Sequence, residues 1–257
     1  MRTRPGQIWA LAAAVAIAAF AGSAKAATVF SEDFGTLADG SAITTANTTL
    51  TFVRVGGGGG ALAATNPSTV GSGASATITG PTSSSITGFG VASGLGLTSQ
   101  ADLSFDVKFS DVTTGTLFFG MGSGGTFTGN SGFAGADLFF GLQSLAGVLQ
   151  YRNTSGTSGA WVNAGFTFAS NTVYHVEANQ SGANLQLTIN GTPLTAITDS
   201  RNSQNADGFR IYAVGVSNAA TYELDNLVVT GTVAVPEPAS LGLLATGGLL
   251  LLRRRRR

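Results

Sequence analysis

The sequence predicts an all-β protein, an antiparallel two-sheet jelly-roll sandwich flanked by an N-terminal signal peptide and a C-terminal hydrophobic helix. Three observations predict it. Between residues 27 and 232 apolar side chains recur at alternate positions, and helical spacing is nearly absent. Short runs rich in Val, Ile, Thr, Tyr and Phe are separated by Gly, Ser, Thr and Asn, the turn-and-strand pattern of a sandwich or barrel. Both ends of the chain differ sharply from this middle, each with a basic cluster against an apolar run. The organisation that follows is 1–26, 27–232 and 233–257.

In the first segment Arg2 and Arg4 form a basic start, residues 8–21 an alanine-rich apolar stretch, and Ala24-Lys25-Ala26 a small-x-small site. That is a secretory signal peptide, with cleavage expected after Ala26. It makes the Sec export machinery the first expected partner.

The body opens with a strand at Thr28-Val29-Phe30, and residues 50–55 make a second. Five glycines at 56–60 follow. A phosphate cradle would need a helix after them, and residues 61–75 offer neither helical pattern nor Gly-Lys-Ser/Thr, so the glycines read as a flexible loop. Residues 75–79 form a strand, and 80–96, rich in Ser and Gly, read mostly as loop. Residues 102–110 are the clearest strand, with Leu103, Phe105, Val107 and Phe109 on one face and Ser104, Asp106 and Lys108 on the other. Residues 116–121, 136–142 and 148–152 are further strands, with surface loops at 122–135 and 153–159. Residues 160–168 carry Trp161. Along 171–180, Tyr174, Val176 and Ala178 alternate with Val173, His175 and Glu177. Leu185, Leu187 and Ile189 lead into Asn190-Gly191, the dipeptide of a tight hairpin turn. Residues 192–198, 208–216 and 221–230 complete about twelve strands, enough for two stacked sheets.

The tail is built in three parts. Val235-Pro236-Glu237-Pro238 is stiff, because each proline fixes φ and removes a donor. Residues 241–252 are apolar except for Gly242, Thr246, Gly247 and Gly248. Arg253, Arg254, Arg255, Arg256 and Arg257 end the chain as a membrane stop whose positive end stays in the cytoplasm. Twelve residues fall short of the roughly 20 that cross a bilayer, and counting from Val233 supplies the difference. Pro236-Glu237-Pro238, Ala239-Ser240, the apolar run and the arginine end together resemble the PEP-CTERM sorting signal of exported bacterial proteins. The resemblance implies an exosortase-type membrane protease that cuts near Pro-Glu-Pro. It also implies Gram-negative hosts that make exopolysaccharide and biofilm.

A second resemblance lies in the body. Asn171-Thr172-Val173-Tyr174-His175-Val176-Glu177 and Leu185-Gln186-Leu187-Thr188-Ile189-Asn190-Gly191 are similar to paired strands of laminin-G/concanavalin-like jelly rolls. Ser31-Glu32-Asp33-Phe34 resembles their opening, and residues 222–229 their closing strand, which returns beside the first. This implies one domain over 27–232.

Composition limits the chemistry. Outside the two ends the basic residues are Arg54, Lys108, Arg152, Arg201 and Arg210, and every acid except Glu237 lies in the body, leaving it at −7. An acidic domain without a basic cluster is a poor nucleic-acid partner. With no cysteine there is no disulfide, thiol catalysis or thiolate metal site. His175 is the single histidine, which excludes a histidine-rich zinc site. No Gly-x-Ser-x-Gly elbow accompanies it, so it reads as a surface histidine beside Glu177. Some concanavalin-like domains are glycoside hydrolases with Glu-x-Asp-x-x-Glu on one strand. Glu223-Leu224-Asp225 matches two positions, but Val228 stands at the third, so no catalytic residue is assigned.

Trp161, Tyr151 and Tyr212 are the candidate platforms for sugar rings, with a core role as the alternative for Trp161. Asp199, Asp207, Asp225 and Asn226 are candidate calcium ligands, and a solvated acidic loop is the alternative. No other cofactor is expected. The sequence therefore predicts a non-catalytic protein exported through the inner membrane and transiently anchored by its tail. It would then reside at the cell surface or in the matrix, binding or scaffolding exopolysaccharide. A purely structural matrix protein and a divergent glycan hydrolase are the alternatives.

Overall fold

Leu103, Phe105, Val107 and Phe109 are fully buried, while Ser104, Asp106 and Lys108 between them are half-exposed. That alternation makes the central strand of the molecule. A computed structural model of the chain describes residues 26–82, 85–122, 138–152, 160–198, 205–214 and 220–233. Ala24, Asp199, the sorting tail at 235–238 and the arginines at 253–257 lie outside these residues, as do the signal peptide before Ala26 and the C-terminal hydrophobic helix. Among the described residues no helix is long and apolar enough to cross a membrane.

Ala26–Val233 form one unit built from seventeen described strands. The first five are β1 (Ala26–Glu32), β2 (Phe52–Arg54), β3 (Ala61–Thr65), β4 (Ser75–Thr79) and β5 (Ile86–Val91). Then come β6 (Leu97–Phe109), β7 (Thr116–Gly122), β8 (Leu138–Leu145), β9 (Val148–Arg152) and β10 (Trp161–Thr167). The remainder are β11 (Val173–Ser181), β12 (Asn184–Ile189), β13 (Thr192–Pro193), β14 (Ile197–Thr198), β15 (Asn205–Ala206), β16 (Gly208–Val214) and β17 (Thr221–Val233).

They form two antiparallel sheets. Sheet A runs β13-β12-β11-β6-β17-β4-β3, with β1 beside β17, β14 beside β12 and β15 beside β6. Sheet B runs β10-β9-β8-β7-β16-β5-β2. The last long strand does return beside the first, with Ala26 opposite Thr232 and Glu32 opposite Leu227. Asn190 (φ 51°) and Gly191 (φ 74°) make the tight turn between β12 and β13, a left-handed pair that strand twist favours. The inward faces meet in one core, where Phe105 of sheet A meets Phe119 of sheet B edge to face at 5.1 Å.

Three strands were not expected. Residues 61–65, 86–91 and 205–206 read as loop, yet they are β3, β5 and β15. Alanine and glycine supply little strand signal. The glycines of β5 are required by packing: a Cβ at Gly88 would overlap the Ile211 carbonyl oxygen, and one at Gly90 the Phe209 carbonyl oxygen. The single return strand expected at 192–198 is two short pieces, β13 and β14.

Candidate functional site

The outward face of sheet B carries a continuous array of rings, guanidinium groups and amides. Directly opposed residues in an antiparallel ladder share a face, so register alone assembles the row Arg54, Gly88, Tyr212, Phe118, Gln143, Gln150 and Asn163, one residue from each of the seven strands. A second row begins Phe52, Gly90, Arg210, Gly120 and Gly141. Arg152 and Trp161, opposite each other, lie at its far end. Gly88 interrupts the large side chains of the first row, and Gly90, Gly120 and Gly141 those of the second.

The rings and cations stack in sequence. Arg210 Cζ lies 5.9 Å from the Phe52 ring centre and 4.5 Å from that of Tyr212. Tyr212 stacks on Phe118 at 4.9 Å with planes 6° apart. Phe118 meets Trp161 edge-on at 5.8 Å, and Arg152 Cζ lies 5.8 Å from the Trp161 ring centre. Gln143 Nε2 donates to Gln150 Oε1 at 2.6 Å. Burial pulls the Arg210 guanidinium below its ordinary range, opposed by Tyr212. An arginine so far above neutral keeps its charge.

The outward face of sheet A has the opposite chemistry. Asp106 Oδ1 lies 2.6 Å from His175 Nδ1, whose Nε2 lies 3.3 Å from Glu177 Oε1. Asn226 Nδ2 donates to Asp106 Oδ2 at 2.7 Å. Glu223 ties down the segment after β3: Thr69 donates to it through its amide (2.6 Å) and its hydroxyl, and Ser75 Oγ at 2.7 Å. Lys108 Nζ donates to Thr69 Oγ1 at 3.0 Å. Burial pushes the Glu223 carboxyl up, but the bonds from Ser75 and Thr69 and the Lys108 charge outweigh it and hold it below its ordinary value. Asp225 is 0 % exposed, and a Cβ at Gly71 would overlap its Oδ2. Burial, opposed by the Asn226 amide and aided by the charges of Asp33 and Asp106, pushes Asp225 up to about 6.

The candidates from sequence separate on this frame. Trp161 is half-buried on the outward face of sheet B. Tyr151 is not beside it: opposite Leu142, it packs against the main core, because its strand turns Gln150 and Arg152 outward instead. Tyr212 is on the Trp161 face but 0 % exposed, with one ring face against Phe118, so it is a floor and not an exposed platform. Of the four calcium candidates Asp199 lies outside the described residues, and the other three do not converge. Asp207 accepts from the amides of Gly94 and Gly96 near the start of β6, whereas Asp225 sits opposite Asp106. Nine residues of strand, roughly 30 Å, separate those positions. Asn226 lies beside Asp225, and among the described residues no group of three or more His, Cys, Asp and Glu side chains is placed to hold a metal. Sequence reasoning missed Arg54, Arg152, Arg210, Gln143 and Gln150. The alternation Val148-Leu149-Gln150-Tyr151-Arg152 already put Gln150 and Arg152 on one face, but their neighbours come from distant strands.

Several solved structures share the fold. Domain 4 of AbnA, a GH43 extracellular arabinanase from Geobacillus stearothermophilus solved with arabinotriose, matches with TM-score 0.50 and 19 % identity, over 81 % of this chain and 94 % of that one. The alginate lyase Aly36B, solved with an alginate tetrasaccharide, matches with TM-score 0.50 and 16 % identity, over 82 % and 98 %. A sialidase matches with TM-score 0.49 and 14 % identity over 66 % of this chain, which spans only 17 % of that protein and carries no argument. At such identities the likeness is one of fold alone. Comparison with the curated proteins finds no match. Residues 234–257 match the PEP-CTERM protein-sorting motif, which implies export and exosortase-dependent processing of a C-terminal membrane anchor. The body is therefore a two-sheet antiparallel β-sandwich, and residues 234–257 carry a PEP-CTERM protein-sorting motif.

Proposed function

We propose that the body is a non-catalytic module that binds or scaffolds exopolysaccharide at the cell surface or in the biofilm matrix. The Sec machinery would deliver it, and the tail would hold it in the membrane until the sorting protease acts. The observation that carries this reading is the β9–β10 end of the outward face of sheet B, where the half-buried Trp161 ring lies against Phe118 and Arg152, beside the amide of Gln150. Rings pack on the apolar faces of sugars, and amide and guanidinium groups match their hydroxyls. A purely structural matrix protein has no need of such a face.

Hydrolysis is less well supported. A retaining hydrolase needs two carboxyl groups about 5 Å apart on the substrate side, and the strands of sheet B contain none. Of the partial motif on β17, Asp225 is enclosed and Glu223 is engaged in anchoring residues 69 and 75. The experiment is retention of the full chain on the host's own exopolysaccharide, with calcium and with EDTA. Saturable retention that drops when Trp161→Ala is introduced, with the circular dichroism spectrum unchanged, is the expected result. No retention in either buffer leaves the structural-protein reading.

A further inference from the structure

From the way the surface around Trp161 is bounded, we infer that the glycan lies along strands β9 and β10, as a run of consecutive sugars reaching from Trp161 to Leu145, and does not cross the sheet. This deepens the glycan-binding reading and rests on it.

Two directions lead away from Trp161. One crosses the strands toward β2, and it is closed from β8 onward. Gly141 and Gln143 on β8 are buried, as are Arg210 and Tyr212 on β16 and Gly88 on β5. The other direction follows the strands, and it is open. Gln150 and Val148 are half-buried, Asn163 and Thr167 are exposed, and Leu145 is 43 % exposed.

Register places these residues on one track. Asn163 is opposite Gln150, Thr167 is opposite Val148, and Val148 is opposite Leu145. They share the Trp161 face, because Leu149 and Tyr151 between them turn to the core. The four residues of strand from Arg152 to Val148 span about 13 Å, and three neighbouring strands make the track about 10 Å wide. One sugar ring on Trp161 does not reach Leu145, whereas a short run of linked sugars does.

The chemistry along the track suits such a run. The Trp161 ring stands at one end, and Leu145 with Val148 gives a second apolar surface at the other. Two carboxamides stand between. Gln150 Oε1 accepts from Gln143 Nε2 at 2.6 Å, and Asn163 Oδ1 accepts from the Gly165 amide at 2.7 Å. Each therefore keeps its nitrogen as a donor for a ligand oxygen. β8, β9 and β10 contain no carboxylate, and the one cation, Arg152, lies against Trp161. Recognition thus rests on ring faces and hydroxyl oxygens. β10 is the edge of the sheet, but its register breaks between Asn163 and Thr167, and such a bulge spoils an edge for a further protein strand. Gly165, at φ 81°, adds no side chain to that bulge, so the margin of the track stays low.

The test uses the full chain retained on the host's own exopolysaccharide and displaced by fragments of that polymer, sorted by size after partial acid hydrolysis. Displacement is expected to improve by about tenfold from the monosaccharide to the trisaccharide, through the second apolar contact and the amide hydrogen bonds. Leu145→Ser and Asn163→Ala are each expected to remove most of that gain, with the circular dichroism spectrum unchanged. Val55→Ser, which changes an exposed apolar side chain just after β2, is expected to have no effect. Equal displacement by monosaccharide and trisaccharide overturns the along-strand inference and leaves the Trp161 site standing. So does a gain that survives both Leu145→Ser and Asn163→Ala, or one lost equally with Val55→Ser. No retention, or retention that Trp161→Ala leaves intact, overturns both.

Discussion

Sheet A and sheet B pack on the same core but present opposite surfaces, and they reach them by different means. Sheet A is built of side chains: its carboxylates bond to hydroxyls, amides and a histidine and hold the neighbouring segments in place. Sheet B is built around absent side chains. Gly88 and Gly90 admit no Cβ, because the backbone of Phe209 to Tyr212 on β16 packs directly against them. One sheet presents carboxylates on its outward face, whereas the other carries rings and guanidinium groups there.

The contrast can be broken most violently at the glycine floor. Gly88→Val is expected to destabilise the protein by about 3 kcal/mol or more, because β5 cannot accept a side chain without moving β16. A chemical denaturation midpoint measures it, and a near-normal midpoint would mean that the floor is pliable. Next in size is Glu223→Gln, which keeps the shape of the sheet A anchor but removes its charge. A loss of about 1–3 kcal/mol at pH 7 is expected. The folded Glu223 titrates below its ordinary value. Its contribution is therefore present above the ordinary carboxylate range and fades as pH falls through the folded value, so the variant and the natural chain should converge in acid.

Asp225 carries the opposite sign. Raised to about 6 by burial, it is protonated in the folded state over a range where the unfolded carboxyl is already ionised. It therefore lowers stability as pH rises from about 4 to about 6. Asp225→Asn is expected to stabilise the protein by about 1–2 kcal/mol at pH 7 and to flatten that part of the curve. Thermal melts across pH 4 to 8 provide the check. Smallest is Lys108→Gln. An exposed ammonium on a threonine hydroxyl is worth about 0.5 kcal/mol, and a melt shift beyond a few degrees would show that Lys108 matters more to sheet A than its bonds suggest.

How much of this was legible follows from the same contrast. Strands with one wet and one buried face, such as residues 102–110 and 171–180, show their alternation in the sequence, and β6 and β11 lie there. β5 is buried throughout and carries two glycines, so Ile86-Thr87-Gly88-Phe89-Gly90-Val91 has no polar beat to read. The candidate face was legible at Trp161 and at Tyr212, the second of them buried in its floor. Arg54, Arg210 and Arg152 come together because β2, β5, β16, β7, β8 and β9 pair in one register, and local pattern does not specify which strands become neighbours. Tyr151 was misplaced by a single position of the same alternation. Asp207 and Asp225 were joined by composition and are parted by the length of β6.

The measurement that tests the central claim most directly is hydrogen–deuterium exchange of the full chain with and without a retained polysaccharide. Added protection is expected in β9 and β10 and in the segments flanking Arg152 and Trp161, with β11, β12 and β4 unchanged. Protection concentrated on β11 and β12, around His175 and Glu177, would place the ligand on sheet A and contradict the assignment of function to sheet B.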